Sequence, residues 1–340
     1  AYEIASCLVG SVMCIRDSLI ILQEFTEVYN IMGTKGTKIT ILGAGCVGAT
    51  VAYTIATAGT CSNILLVDIN KDKAKGEAMD IRQGVSFGHN VEVHDGSYED
   101  AVGSDIVVVT LGIARKPGQT RLDLAQTNVN IIKEVMPRMA KYAPDAIYVV
   151  VSNPVDVITY TILKCTDLKP SQVIGTGTAL DTSRLRSSIA DHVGLSPNSI
   201  HAYVFGEHGD TSMIPWSITN VAGIPMYDYC KQEGVDIDKD AIAVEVRKAG
   251  GEVIKRKGAT FYAIAMTANK VCDNILRDAN TIMTVSTLQD GSRYGINDVC
   301  LSLPAVVGRH GIEQEVNPAL TDEEVQKLQD SAKALRNVID

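Results

Sequence analysis

The chain has 340 residues and a formal net charge of −9, with 46% hydrophobic and 21% charged residues. That balance excludes an unfolded chain, a collagen and a disulfide-stapled miniprotein. The acidic excess without a basic run excludes sequence-independent nucleic-acid binding, which needs lysines and arginines to displace counterions from phosphate.

Residues 1–31 differ from the rest. An apolar run at 4–15 is interrupted by Arg16 and Asp17 before a second one at 19–22, so neither piece reaches the roughly 20 residues of a membrane span. Glu3 precedes the run and no small-residue cleavage site follows, unlike a secretory signal. Met32 and the stretch after it read as the natural start of a protein. Residues 1–31 are expected to be an appended or mis-called leader, with an arm that packs on a partner subunit as the alternative. The length predicts two domains, placed at 32–154 and 155–340.

From Met32 strand and helix alternate. A β-rich run at 38–42 leads into a Gly-rich turn and a helix of small residues at 49–58. A strand at 63–69, a charged helix at 71–83, a strand near 91–94 and a strand within 104–111 follow. In the last of these, Ile106, Val107, Val108 and Val109 form the continuous apolar run of a strand buried on both faces. A longer helix from Leu122 carries Ala125, Val129, Ile132, Met136 and Met139 at helical spacing, with Pro137 as an expected kink. A further buried strand at 146–151 completes a doubly wound parallel α/β sheet of the Rossmann type.

Beyond Val155 the signals suit an α+β domain, with helices at 182–192 and 241–274 and β-like stretches at 282–287 and 299–303. Thr321 and Glu324 form a capping box that opens a last helix, whose core stripe is Val325, Leu328, Ala332, Leu335 and Ile339.

The turn after the first strand reads Gly43-Ala44-Gly45-Cys46-Val47-Gly48. Between a strand and a helix, the first glycine makes a tight turn, the second admits a pyrophosphate to the backbone, and the third packs helix on sheet. Asp68 at the end of the next strand can accept hydrogen bonds from a ribose diol and repel a 2′-phosphate, so NAD is favoured over NADP. Gly43, Gly45, Cys46, Val47, Gly48 and Asp68 are the expected cofactor contacts. A tight βα turn with an exposed aspartate is the plain structural alternative.

Several polar residues lie among apolar neighbours: His208 in Gly206-Glu207-His208-Gly209-Asp210, Asp181 and Arg184 one turn apart, Arg121 after the loop 112–120, and Asn153 after a buried strand. Singly, each has an ordinary reading as a core histidine, an N-cap, a surface arginine or a turn former. Buried charges, however, must be paired or functional.

With the glycine turn, the segments 115–121, Ser152-Asn153-Pro154, Leu180-Asp181-Thr182-Ser183-Arg184 and 206–210 fall in one order and spacing, and on these the chain resembles the L-lactate/malate dehydrogenase family from Met32 onward. The resemblance implies His208 as proton donor and acceptor, Asp181 as its partner, and Arg184 as the clamp on a substrate carboxylate. It also implies Arg121 as polariser of the carbonyl and Asn153 as a hydrogen-bonding group near nicotinamide and substrate. These roles suit the chemistry. Hydride arriving at a ketone builds negative charge on its oxygen, where a cation and a proton donor must point. A planar guanidinium fits a carboxylate with two parallel bonds, as lysine does not. The loop 112–120, with Pro117 and Gly118, would close over the site and carry Arg121 in.

In that family the position of Arg115 faces the substrate's variable group, and its charge favours the second carboxylate of oxaloacetate. Glu207, Pro215-Trp216-Ser217, Arg121-Leu122-Asp123-Leu124 and Thr260 resemble the lactate branch instead. The expectation is an NAD-dependent L-lactate dehydrogenase acting on a small 2-keto or 2-hydroxy acid, with pyruvate as substrate and Thr260 and Arg115 near it. Malate oxidation is the alternative, and a non-catalytic nucleotide-binding protein a remote one. Arg186 and His201 fall where allosteric bacterial relatives bind fructose 1,6-bisphosphate between subunits, so this effector and a homotetramer are candidate partners, with a surface arginine and a strand histidine as the plainer reading. The eight scattered cysteines suggest buried thiols of a reducing compartment, the cytoplasm. No metal, nucleic-acid or membrane partner is expected.

Overall fold

The computed structural model describes residues 36–113 and 121–339, those from 121 to 124 by their backbone alone. Residues 1–31, Met32, Arg115 and most of the loop 112–120 lie outside the described residues.

The alternating half folds as β1 (Lys38–Leu42), α1 (Cys46–Ala58), β2 (Asn63–Val67), α2 (Lys71–Gly84), β3 (Glu92–Asp95), β4 (Ile106–Val109), α3 (Arg121–Tyr142), β5 (Ile147–Val150), α4 (Val155–Cys165) and β6 (Val173–Gly175). These six strands pair in parallel in the order β6-β5-β4-β1-β2-β3. Because side chains alternate across a strand, each all-apolar run feeds two cores. Ile39, Ile41, Ile64, Leu66, Ile106 and Val108 pack on one face under α1. Leu42, Leu65, Val107, Val109, Tyr148 and Val150 pack on the other against Ile132, Met136 and Met139 of α3 and Ile158 of α4. The helix α3 runs unbroken through Pro137.

The second half adds α5 (Ala179–Val193), β7 (Ile200–His201), β8 (Asn220–Val221), β9 (Ile224–Pro225), α6 (Met226–Glu233), α7 (Lys239–Lys257), α8 (Tyr262–Leu276), β10 (Thr281–Asp290), β11 (Asn297–Gly308), β12 (Gly311–Glu315) and α9 (Asp322–Ile339). The single helix expected over 241–274 is two helices. Gly258 adopts a left-handed φ of 83° and its N–H closes on the Ile254 carbonyl, which ends α7, and the chain restarts at Tyr262. Strands β10, β11 and β12 do not form a separate sheet. They continue the parallel one as antiparallel strands, through the pair Ser286 and Gly175, to make nine strands.

The capping box of α9 is present, with Thr321 N–H donating to Glu324 Oε2 at 3.0 Å and Glu324 N–H to Thr321 Oγ1 at 3.3 Å. Leu328, Ala332 and Leu335 of α9 pack against Phe205, Leu301 and Leu303.

Candidate active site

The strand order reverses between β1 and β4, and the carboxyl ends of the strands at such a reversal are the usual ligand site of a doubly wound sheet. Gly43 turns the chain with φ +100°, and a Cβ at Gly48 would stand 1.9 Å from the Gly43 carbonyl oxygen. Helix and turn can approach this closely only without a side chain at 48. At Gly45, by contrast, a Cβ would meet nothing within 4 Å, so the backbone is open on that side. Gly45 caps α1 without a side-chain hydrogen bond, and no acidic residue sits in the first turn. The positive end of the helix therefore faces the opening. Asp68 stands just past β2, its Oδ2 accepting the Ala44 N–H at 2.6 Å and its Oδ1 the Asn70 N–H at 2.8 Å. Cys46 is exposed and Val47 leans on the core. An anion-binding turn with a carboxylate one strand away fits a pyrophosphate and a ribose.

Asn153 is exposed at the end of β5, and its carbonyl accepts from Asn128 Nδ2 at 2.8 Å. Asn128, buried on α3, also accepts the Ile113 N–H at 3.0 Å. One amide thus ties the start of the 112–120 loop to the Asn153 turn. Asn128 is a polar residue buried on the same helix as the apolar stripe of Ala125, Ile132, Met136 and Met139.

His208 sits in the loop closed by the Phe205–Met213 bridge and anchored to β11 through Gly206 and Ser302. Its Nδ1 donates to Asp181 Oδ2 at 2.6 Å, while Arg184 donates to Asp181 Oδ1 at 2.8 Å. Asp181 and Arg184 share one face of the first turns of α5 because they are three residues apart. The Asp181 carboxylate thus fixes the imidazole proton on Nδ1 and leaves Nε2 to the cleft. Burial works to lower the His208 pKa, but the hydrogen bond and charge of Asp181, with the charge of Asp156, outweigh it and hold the pKa above 6.5. Burial likewise opposes ionisation of Asp181, and His208 and Arg184 reverse this and depress its pKa.

The sequence reading missed Asp156. This residue is 2% exposed in the first turn of α4, and its Oδ2 accepts the backbone N–H of His208 at 2.8 Å. An acid inside the run Val155-Asp156-Val157-Ile158 was the available signal.

Arg121 is the first residue of α3, its side chain outside the described residues. Thr260 is half-buried in the connection between α7 and α8. Arg186 donates to the Ala202 carbonyl at 3.0 Å and lies over the Tyr203 ring at 5.2 Å, next to exposed His201 on β7. Cys46, Cys61, Cys165, Cys230, Cys272 and Cys300 are free thiols. Among the described residues there is no metal-holding group of His, Cys, Asp and Glu, and no helix long and apolar enough to cross a membrane.

A glycine turn at the switch point of a doubly wound sheet, together with a histidine oriented by a buried carboxylate, is the pattern of a dinucleotide-dependent oxidoreductase. Family models match the NAD-binding domain of the lactate/malate dehydrogenases at residues 37–175 and their alpha/beta C-terminal domain at 178–340. The chain belongs to the lactate/malate dehydrogenase family, and its cofactor is NAD.

It is 45% identical over 309 residues to L-lactate dehydrogenase 1 of Clostridium acetobutylicum, covering 90% of this chain and 98% of that one. It is 44% identical over 305 residues to an L-lactate dehydrogenase of Acetivibrio thermocellus, covering 89% and 96%. Among solved structures, the minor L-lactate dehydrogenase of Enterococcus mundtii superposes with a TM-score of 0.86 at 36% identity, covering 89% of this chain and 98% of that one.

Proposed function

We propose that this chain is an L-lactate dehydrogenase that interconverts pyruvate and L-lactate with NADH and NAD. The observation that carries the reading is the single carboxylate of Asp181 holding both His208 and Arg184, at 2.6 and 2.8 Å. It sets a proton donor and a carboxylate-binding cation side by side on one buried carboxylate.

When bound, the nicotinamide supplies the hydride. The chain's residues do the rest. The first turn of α1 would hold the pyrophosphate, with Gly45 leaving room for it, and Asp68 would accept the ribose hydroxyls. Arg184 grips the substrate carboxylate, so that the ketone oxygen faces Nε2 of His208. Protonated His208 then donates its Nε2 proton as charge grows on that oxygen, and Asp181 stabilises the imidazolium throughout. In the reverse direction neutral His208 takes the hydroxyl proton. The family resemblance assigns Arg121 as the second cation for the oxygen, Asn153 as a hydrogen-bonding group for nicotinamide and substrate, and Thr260 and Arg115 as the residues that would select the substrate's variable group.

The test is NADH oxidation with pyruvate and oxaloacetate in parallel. Pyruvate is expected to be turned over more efficiently, and a preference for oxaloacetate would assign the chain to malate instead. His208→Asn is expected to abolish turnover with NADH affinity nearly intact; unchanged turnover would refute the acid–base role. Arg115→Gln should lower the ratio of oxaloacetate to pyruvate efficiency.

The same reading makes the enzyme a cytoplasmic homotetramer of fermentative glycolysis, with Arg186 and His201 as an allosteric pair for fructose 1,6-bisphosphate. What supports the pair is the Arg186 bond to the carbonyl of Ala202, the residue after His201, and a cleft of about 170 Å³ that Arg186 lines with Asn198 and Tyr203. Two cationic groups facing their symmetry mates would repel until a bisphosphate neutralised them. Activity at low pyruvate that does not respond to the bisphosphate would remove this assignment.

A further inference from the structure

His208 is braced by two carboxylates, and only one of them, Asp181, has a part in the chemistry described above. The second, Asp156, is buried on a different element, α4, and reaches the catalytic loop from behind. Its Oδ2 accepts the His208 N–H at 2.8 Å and its Oδ1 accepts the Ser286 hydroxyl of β10 at 2.6 Å. Among the described residues, this 2% exposed carboxylate takes hydrogen bonds from two neutral donors and forms no ion pair with a lysine or arginine, the partner that usually accompanies such burial. Its cationic neighbour is the protonated imidazole itself.

We propose that Asp156 is a positioning residue for proton transfer, holding the backbone of His208 in place and, through its own charge, setting how firmly His208 keeps its proton. The proposal rests on the acid–base role given to His208.

The groups facing the two residues come from four directions. Asp181 and Arg184 of α5 meet the imidazole, the first raising and the second lowering its proton affinity. Glu207 of the catalytic loop and Ser286 of β10 act on Asp156. The buried thiol of Cys300 on β11 feels the Asp156 charge. Burial pushes Asp156 up to about 6, against the Ser286 and His208 hydrogen bonds and the imidazolium charge. Asp156 therefore changes charge close to the range in which an imidazole does, and each group's charge acts on the other. An ionised Asp156 favours imidazolium; a protonated one releases it.

The signs follow. Without the Asp156 charge, His208 gives up its proton at lower pH. Pyruvate reduction, which needs imidazolium, fails at a lower pH, and lactate oxidation, which needs neutral imidazole, sets in at a lower pH.

Asp156→Asn keeps the shape and an acceptor for the His208 N–H while removing the charge. In the full chain with its cofactor, the pH limbs of kcat/KM for both directions are expected to move to lower pH by about 0.5 to 1 unit. On the alkaline limb, reduction then falls roughly three- to tenfold, while oxidation on the acid limb rises by a similar factor. The His208 ring resonance, identified by its loss in His208→Asn, should show the same displacement in an NMR titration. Ser286→Ala removes a bond that favours the Asp156 anion, so its limbs move the same way by less. It carries the test should Asp156→Asn fail to fold.

A purely structural role would lower both directions at every pH and leave the midpoints where they are; limbs and NMR midpoint coincident with the parent enzyme would overturn the proposal. If the NMR midpoint moves while neither rate follows it, the coupling stands and the acid–base role of His208 falls. If the rates follow an unmoved midpoint, the role stands and the coupling falls.

Discussion

The Asp181 carboxylate shows how one buried group can serve two others. Each oxygen takes a different partner, His208 Nδ1 at 2.6 Å and Arg184 at 2.8 Å, so the imidazole and the guanidinium are held in a fixed relation to one another. Arg184 can still present a planar face to a carboxylate while one of its nitrogens bonds Asp181, which a lysine could not reproduce. Arg184→Lys should therefore lower kcat/KM for pyruvate by about 1.5 to 3 kcal/mol, roughly ten- to a hundred-fold, with the Kd of NADH unchanged. Steady-state kinetics and NADH fluorescence titration check the two halves of that statement.

At the level of elements, the glycine turn and α1 act as one piece. A methyl group at position 48 would fall 1.9 Å from the Gly43 carbonyl oxygen, so α1 must back away and carry its N-terminus out of register. Gly48→Ala is expected to cost about 1 to 3 kcal/mol of stability and to weaken NADH binding more than it weakens the fold. Thermal melting with and without NADH separates the two effects.

The last helix does a comparable job for the other half. Glu324 closes the capping box and also accepts the N–H of Ser217 at 3.0 Å and its hydroxyl at 2.5 Å. Burial opposes its ionisation, but the bonds from Ser217 and Thr321 prevail and hold its pKa below 4.5. A carboxylate with a depressed folded-state pKa stabilises above its unfolded value and loses that contribution as pH falls through the folded value. Glu324→Gln should cost about 1 to 2 kcal/mol at neutral pH, and the gap from the parent protein should narrow below pH 4.5. Denaturant unfolding at several pH values measures it.

On the scale of the molecule, the two halves share a sheet. β10 pairs with β6 at Ser286 and Gly175, next to the Asp156 bond that Ser286 donates at 2.6 Å. Strands from the C-terminal half thus anchor the His208 loop and extend the parallel sheet together. Calorimetry of residues that share backbone pairing and a buried core in this way should give one cooperative transition. NADH at a hundred times its Kd should raise the stability behind that transition by about 2.7 kcal/mol, although its contacts lie in one half. Two separate transitions, with only the first responding to NADH, would contradict this coupling.

The alternation of all-apolar strands with amphipathic helices was enough to fix the parallel sheet, because a strand with apolar residues on both faces can be accommodated only between two layers of helices. The glycine spacing was legible because only glycine permits the tight turn and close helix approach, and His208, Asp181 and Arg184 because polar groups among apolar neighbours are costly to bury without a partner. Long-range partnership left no such trace. That Asp156 would reach the backbone of His208, that Asn128 would tie Ile113 to Asn153, and that β10 would join β6 depend on contacts between segments 15 to 130 residues apart. Local pattern and propensity describe a residue's neighbours along the chain, whereas these bonds are set by which surfaces remain to be buried once the sheet has formed.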